Sequence, residues 1–461
     1  MRMSAVPAGP PTATPPDAFA LVRTRGYLVL LVMTALLGIP VSAVAFGFLA
    51  LVSELQSLTY TDLPRGLGFD GTPSWWPIPL LAVGGVLVAL IIRFLPGEGG
   101  HRPAEGLVTK GPPTAAELPG IALAAIVSLG VGVVLGPEAP LIALGGGLAV
   151  LAVRAVKRNL DPATTGVLGA AGSFAAVSTL LGSPLLGAFL LMEVSGIGGA
   201  MMGIVLVPGL LAAGVGALMF TGLGSWTGLG TFSLVLGKVP PAARPDLAGF
   251  GWALAVGVVA ALLGTAIRRS SLRLEARVER RRLPLTVLAG ALMGVAALVY
   301  AETTGREASE VLYSGQTALG PLLADQAGYT VGALVALLVC KAVAYGLALG
   351  AFRGGPVFPS MFVGAAAGLA LAHLPGLDVT SGFAMGVGAM CVAMLKLPMT
   401  SVLLATILMG TEGITVMPLV IVAVVVSYVL TLRLTPAPAP APPPAPAPPP
   451  APAPPPAPQP G

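Results

Sequence analysis

The stretch "VGVVLGPEAPLIALGGG", residues 131–147, places one carboxylate, that of Glu138, between two prolines inside a long apolar run. A charge at the centre of a bilayer costs about 3 kcal/mol or more, so an acid in such a place needs a function. Gly136 and Pro137 directly before it favour the start of a helix, because proline is common at the first helical position.

The composition sets the class of protein. Hydrophobic residues make up 55% of the 461 residues and charged residues only 9%, whereas a soluble domain carries about 25% charged residues. The sequence therefore predicts an all-α polytopic membrane protein. The net charge of +5 fits membrane topology better than nucleic-acid binding, and Cys340 and Cys391 lie in apolar segments that suggest no disulfide.

The apolar segments fall into two groups by length. Eight are long enough to cross a bilayer (about 17–25 residues), and six are shorter pieces bounded by Gly and Pro. Pieces of this length predict tilted or half-crossing helices whose ends are covered by protein or water. The long segments are 27–53, 76–95, 119–135, 201–220, 249–267, 283–301, 328–351 and 415–432, and the short ones are 138–153, 164–181, 184–195, 356–374, 381–395 and 398–410.

These segments predict one membrane domain over residues 27–434. Residues 1–26 are expected to form an N-terminal cytoplasmic segment, and the Pro/Ala repeats of residues 435–461 a disordered tail. The basic run "RRSSLRLEARVERRRL", residues 268–283, is interpreted as a cytoplasmic loop that obeys the positive-inside rule. We expect both termini in the cytoplasm and the protein in the cell membrane.

A weak internal repeat divides the membrane domain into two related halves, residues 76–220 and 249–434. "GSPLLGAFLLME" (182–193) and "KLPMTSVLLATI" (396–407) share a proline followed by an apolar helix, and each follows a Gly/Ala-rich segment. Each half also has a Gly-Pro element upstream. Corresponding broken helices in two halves indicate a transport site near the middle of the membrane.

Three loop-to-helix junctions share one design: "GEGGHRPAEGL" (97–107), "LGPEAPLIALGGG" (135–147) and "FRGGPVFPSMFVG" (352–364). Gly and Pro before a helix expose its unpaired backbone N–H groups, which bind anions without a cationic side chain. One such junction is ordinary helix-start chemistry, but three in one domain indicate an anion site. Glu138 would then be a tethered anion that competes with the transported ion.

Two further charged residues lie in apolar surroundings. Glu193, at the end of "PLLGAFLLME", is interpreted either as a helix-end acid at the cytoplasmic surface or as a functional carboxylate. Lys341 could reach towards the membrane surface, pair with an acid or add positive potential to an anion path.

At this point the residues resemble the CLC family of chloride channels and proton-coupled chloride antiporters, as a bacterial-type member without C-terminal CBS domains. "GPEAP" is similar to the gating-glutamate motif GxEGP of that family, and "CKAVAYGLALGAFRGGPVFPSMFVGA" to its segment K…T…G…GGxFxP. The resemblance implies a CLC-like inverted-repeat architecture, a gate at Glu138, and a homodimer built through 182–193 and 397–418. It also implies an anion site whose residues are Gly100, His101, Gly136, Pro137, Ala139, Gly355, Val357 and Phe358.

The departures from the family pattern concern the centre of the pore. "GGHRPAEG" replaces the family motif GSGIP, so Gly100 or His101 stands near the position of its serine. Pro356 replaces an amide donor and has no N–H. Tyr428 lies too early to match the pore tyrosine of the family, so the sequence offers no counterpart. These changes imply a weaker or differently selective central site.

A last departure concerns protons. Antiporters of the family carry a second glutamate, and its position corresponds to Val194, with Glu193 one residue before it. An apolar residue at this position resembles the passive channels, so we expect uncoupled or poorly coupled movement of chloride or another small anion. A chloride/proton antiporter remains the alternative.

Two other classes of function fit less well. A cation-coupled carrier of an organic anion would need polar residues at the helix breaks, which here are mostly Gly, Pro and apolar. An intramembrane enzyme would need catalytic or metal-binding groups, yet the chain has two His and no Cys/His metal spacing. We therefore expect neither an enzyme nor a cofactor or metal, and as partners only the anion, membrane lipid and a second subunit.

Overall fold

A computed structural model describes residues 22–107, 111–156, 161–196, 200–228 and 234–435. The predicted segments 1–26 and 435–461 therefore lie almost wholly outside the described residues. Within the described part the chain is helical, apart from one isolated bridge between Gly136 and Gly355. The all-α membrane fold that the sequence predicts is confirmed.

The first half of the chain contains long and short helices. A π-helical turn, Leu58–Asp62, joins the first two. The helices are α1 (Arg25–Ser57), α2 (Leu63–Gly66), α3 (Pro77–Phe94), α4 (Leu118–Gly130), α5 (Glu138–Val156), α6 (Pro162–Leu181), α7 (Pro184–Ser195) and α8 (Ala200–Thr227).

The second half of the chain also contains long and short helices. Its helices are α9 (Leu247–Arg280), α10 (Arg282–Thr304), α11 (Leu319–Ala324), α12 (Val331–Ala351), α13 (Val357–Leu371), α14 (Val379–Leu395), α15 (Pro398–Leu408) and α16 (Gly413–Leu434). Short 3-10 turns lie at Pro103–Glu105, Ala308–Glu310, Gln326–Gly328 and Gly410–Glu412.

Nine helices of the described residues are long and apolar enough to cross a membrane, and three segments differ in length from the sequence prediction. The predicted short pieces 138–153 and 164–181 belong to the membrane-length helices α5 and α6. The predicted span 119–135 is instead the 13-residue helix α4, because Gly132, at φ 88°, turns the chain out of the helix.

The basic run of residues 268–283 is also different from its prediction as a loop. It continues α9 as a helix to Arg280, and α10 begins at Arg282. Arg, Leu, Glu and Ala are all good helix formers, so the positive charges end the apolar span without ending the helix.

Glycine contacts pack corresponding helices of the two halves in the same way. A Cβ on Gly145 of α5 would lie 2.5 Å from the carbonyl oxygen of Gly172 in α6. In the second half, a Cβ on Gly364 of α13 would lie 2.2 Å from the carbonyl oxygen of Gly386 in α14. Small residues let membrane helices approach this closely. The repeat itself stays a prediction.

Candidate anion site

The starts of α5 and α13 meet inside the protein. Gly136 and Gly355 exchange two backbone hydrogen bonds, of 2.7 Å from the N–H of Gly136 and 2.5 Å from the N–H of Gly355. Since α5 begins at Glu138 and α13 at Val357, this bridge holds the positive ends of two helices against each other. The second and third predicted junctions therefore lie together and form a single site.

Glu138 lies in this structure with its side chain fully buried. The N–H of Phe358 donates a hydrogen bond of 2.8 Å to Oε1 of Glu138, and Oε2 has no partner among the described residues. Cβ atoms on Gly136 and Gly355 would come within 2.3 Å and 1.7 Å of the carboxylate oxygens. Glycine at both positions is thus what leaves room for the carboxylate.

The other backbone groups predicted to hold an anion are partly engaged. The amides of Gly136 and Gly355 are bonded to each other, and Pro356 has no N–H to offer. Of the predicted donors Val357 and Phe358, the N–H of Phe358 makes the hydrogen bond to the Glu138 carboxylate in this conformation.

The first junction leads into the 3-10 turn Pro103–Glu105 and not into a helix as predicted. It is tied to the third by Arg353, which is almost fully buried. Its guanidinium donates through Nε to the carbonyl of Glu98, at 3.1 Å, and through Nη1 to the carbonyl of Phe352, at 3.2 Å. All three glycine-rich junctions are thus joined by backbone or side-chain hydrogen bonds.

A cavity of about 810 Å³ leads to this region. Its walls include four of the residues that the sequence singled out: Gly100, His101, Ala139 and Val194. Ala139 directly follows Glu138, so the cavity reaches the residue next to the carboxylate. The amide of Gly100 donates to Gly97 at 2.8 Å, and the His101 ring contacts the carbonyl of Gly106.

Glu193 lies outside the walls of that cavity and caps a helix. Its carboxylate accepts from the N–H of Met399 at 3.0 Å and from the N–H and hydroxyl of Thr400 at 2.8 and 2.6 Å. These donors belong to the first turn of α15, where free N–H groups need an acceptor. Val194, the next residue, faces the cavity instead.

Sequence reasoning did not single out Tyr345, which is fully buried on α12. Its hydroxyl donates to the carbonyl of Pro356 at 2.7 Å, two residues from the amide that binds Glu138. Lys341 lies one turn before Tyr345 on the same helix face. A polar pair at i and i+4 in an otherwise apolar helix was the signal for this face.

Lys341 is fully buried and takes part in a polar network. Its Nζ donates to the carbonyls of Glu310 and Leu312, at 3.0 and 2.8 Å, and lies 4.1 Å from the ring centre of Phe362. The Glu310 carboxylate accepts from Tyr329 at 3.0 Å. Burial and that carboxylate raise the pKa of Tyr329 to about 12, so its hydroxyl keeps the proton that it donates.

Comparisons with known proteins agree with this architecture. A sequence model of the voltage gated chloride channel family matches residues 84–432. A relative from Escherichia coli O7:K1 (strain IAI39 / ExPEC), named "Putative ion-transport protein YfeO", is 28% identical over 359 residues, which are 77% of this chain and 82% of the relative. The protein of the same name from Shigella boydii serotype 4 (strain Sb227) has the same identity and coverage.

Solved structures share the fold. A slow cyanobacterial Cl⁻/H⁺ antiporter has a TM-score of 0.70 at 19% identity, over 88% of this chain and 94% of that one. A CLC-type fluoride/proton antiporter has a TM-score of 0.67 at 19% identity, over 89% of this chain and 98% of that one.

Proposed function

This chain belongs to the voltage gated chloride channel family, and from that premise we propose that it passes chloride or a similar small anion through a pore gated by Glu138. It is a multi-pass membrane protein for anion transport and not an enzyme.

The position of the Glu138 carboxylate is the observation that supports its role as the gate. It occupies a buried place between two helix starts, where it accepts the Phe358 N–H over 2.8 Å. Helix starts of this kind bind anions through backbone amides. A free anion that displaced the carboxylate would find the same donor, so carboxylate and anion compete for one place.

The cavity supplies the route to this place from one side. It reaches from the loop of Gly100 and His101 to Ala139, beside the gate. The loop's Arg102 pairs with Glu275 of α9 at 3.9 Å, close to the basic run that the positive-inside rule assigns to the cytoplasm. We therefore assign the cavity to the cytoplasmic entrance of the pore.

Proton coupling is proposed to be weak or missing. Val194 lines the cavity and has no group that can carry a proton, whereas Glu193 is bonded to Met399 and Thr400 at the start of α15. The hydrogen bonds from Met399 and Thr400 hold the Glu193 carboxylate at the start of α15, outside the cavity walls. An apolar Val194 and an engaged Glu193 support uncoupled movement of the anion.

The test of the gate is the substitution Glu138→Gln, which mimics the protonated carboxylate. Chloride efflux from reconstituted liposomes is expected to rise as the pH falls in the unchanged protein, because protonation removes the competing charge. Glu138→Gln should give high efflux that no longer depends on pH. The control is Glu54→Gln, which changes an exposed carboxylate of α1. Efflux from Glu138→Gln that matches the unchanged protein at every pH would refute the gate.

A chloride/proton antiporter is the second candidate, because one solved structure of similar fold is named a Cl⁻/H⁺ antiporter and another a fluoride/proton antiporter. An outward chloride gradient across liposome membranes separates the two. If chloride movement is uncoupled, protons move only in response to the membrane voltage. An antiporter instead drives protons against their gradient at a fixed ratio to chloride. A fixed ratio would replace our proposal by the antiporter.

The assembly is proposed to be a homodimer in the cell membrane, with one pore in each subunit and both termini in the cytoplasm. Helices α7, α15 and α16 keep large apolar side chains exposed, among them Leu185 at 62%, Met399 at 56% and Ile414 at 80%. These are the segments whose sequence resembles the dimer contact of the family. Crosslinking of Ile414→Cys in membranes tests the contact, and a lack of crosslinked dimer at this position would contradict it.

A further inference from the structure

Arg268 is a half-buried cation with two unpartnered nitrogen atoms. It lies on α9 where the apolar span changes into the basic run, and its Nε and Nη1 atoms are buried with no hydrogen-bond partner among the described residues. Arginine keeps its charge in proteins, and its planar fork presents five N–H donors. Buried polar atoms are normally hydrogen-bonded, so these two nitrogen atoms need an acceptor.

A second cation lies beside it. Helices α9 and α14 touch where a Cβ on Gly264 would lie 2.7 Å from the Cβ of Ala393. Arg268 and Lys396 each follow that contact by about one helical turn, and burial and the positive charge of Arg268 lower the pKa of Lys396. No ion pair neutralises either cation within the described part of the chain, whereas Arg102 contacts carboxylates of both α9 and its own loop.

Two buried hydroxyls belong to the same region. Thr265 precedes Arg268 by one turn on α9, and Thr431 lies near the end of α16, which the bond from Arg269 to the Leu434 carbonyl holds against α9. Both threonines are buried, and neither hydroxyl oxygen has a partner among the residues described. Buried hydroxyls are nearly always hydrogen-bonded, so these two also point to a missing group.

We propose that Arg268 and Lys396, together with the hydroxyls of Thr265 and Thr431, bind an anionic phosphate group. A guanidinium binds two phosphate oxygens at once, and an ammonium and two hydroxyls serve the remaining oxygens. The site is distinct from the gate, because none of its four residues lines the cavity next to Glu138. The phosphate can come from an anionic lipid headgroup or from dissolved phosphate.

The test is thermal unfolding of the purified full-length protein in uncharged detergent, which is independent of anion flux. One arm titrates inorganic phosphate against sodium chloride of equal ionic strength, and the other adds phosphatidylglycerol against phosphatidylcholine. A bound ligand raises the unfolding temperature as its concentration exceeds the dissociation constant. Stabilisation in the first arm identifies dissolved phosphate, and stabilisation in the second arm alone identifies lipid.

Two variants connect the effect to the site. Arg268→Met and Lys396→Met should each weaken the ligand at least about tenfold, because each removes hydrogen bonds from a charged donor. The matched control is Arg273→Met, which removes an exposed charge from the same helix and should respond like the unchanged protein. No stabilisation in either arm, or equal stabilisation of Arg268→Met and the unchanged protein, would overturn the proposal.

Discussion

The N–H of Phe358 donates a hydrogen bond of 2.8 Å to Oε1 of Glu138, although 220 positions separate the two residues in the chain. The bond joins the first turn of α13 to the first turn of α5, and therefore one half of the protein to the other. Because a carboxylate occupies the acceptor position, the contact is the basis for the proposal that an anion lies there after Glu138 leaves. The site is completed only when both halves meet.

The space for that anion is limited by Gly355. A Cβ at this position would lie 1.7 Å from Oε2 of Glu138, in the place that the anion is proposed to take. In the background of Glu138→Gln, the substitution Gly355→Ala should therefore reduce chloride efflux from liposomes at least about tenfold, which corresponds to about 1.4 kcal/mol. Gly251→Ala, on an open face of α9, is the control. Undiminished efflux with Gly355→Ala would mean that the anion passes elsewhere.

Tyr345 offers a hydroxyl close to the same place. It donates to the carbonyl of Pro356 at 2.7 Å, and loss of this bond in Tyr345→Phe should lower the free energy of unfolding by about 1 kcal/mol. We also expect a changed ratio of chloride to nitrate efflux, because this bond holds Pro356, two residues before the amide that contacts Glu138. Tyr428→Phe on α16 is the control. A loss of stability with an unchanged ratio would limit Tyr345 to a structural role.

The position of Glu138 could be predicted because its signal is local. A proline before it and a Gly-rich run after it mark a helix start, and the apolar surroundings mark burial. The pairing of Gly136 with Gly355 and the bond from Arg353 to Glu98 could not be predicted, since each joins residues more than 200 positions apart. Local patterns carry no information on which helix ends meet.

For Glu193 too, the sequence predicts the local structure but not the partners that lie far away in the chain. Its sequence predicts the end of a helix, which is correct, since α7 ends at Ser195. Its partners Met399 and Thr400 lie in the other half of the chain, so the sequence left a functional and a structural role open. The three hydrogen bonds that it accepts from the start of α15 make the structural role the better supported one.

Glu193→Ala is therefore expected to affect stability and not transport. Removal of a helix-capping acceptor costs about 1–2 kcal/mol, so the unfolding temperature in detergent should fall. Chloride efflux per folded protein and its pH dependence should match those of the unchanged protein. Glu117→Ala is a useful comparison, because Glu117 accepts a single backbone hydrogen bond, from Thr114 at 2.7 Å. Altered proton movement in Glu193→Ala would instead make Glu193 part of a proton path.

The substitution Lys341→Met tests whether the buried ammonium is needed for the stability of the fold. Its ammonium satisfies the carbonyls of Glu310 and Leu312, and Lys341→Met would leave both without this donor. Unsatisfied buried acceptors cost about 1–3 kcal/mol each, so the free energy of unfolding should fall by about 2 kcal/mol or more. Burial of the ammonium also carries a cost, which the variant removes. A variant more stable than the unchanged protein would show that this second effect is larger. Lys238→Met, which changes an exposed lysine, should leave stability within about 0.5 kcal/mol of the original.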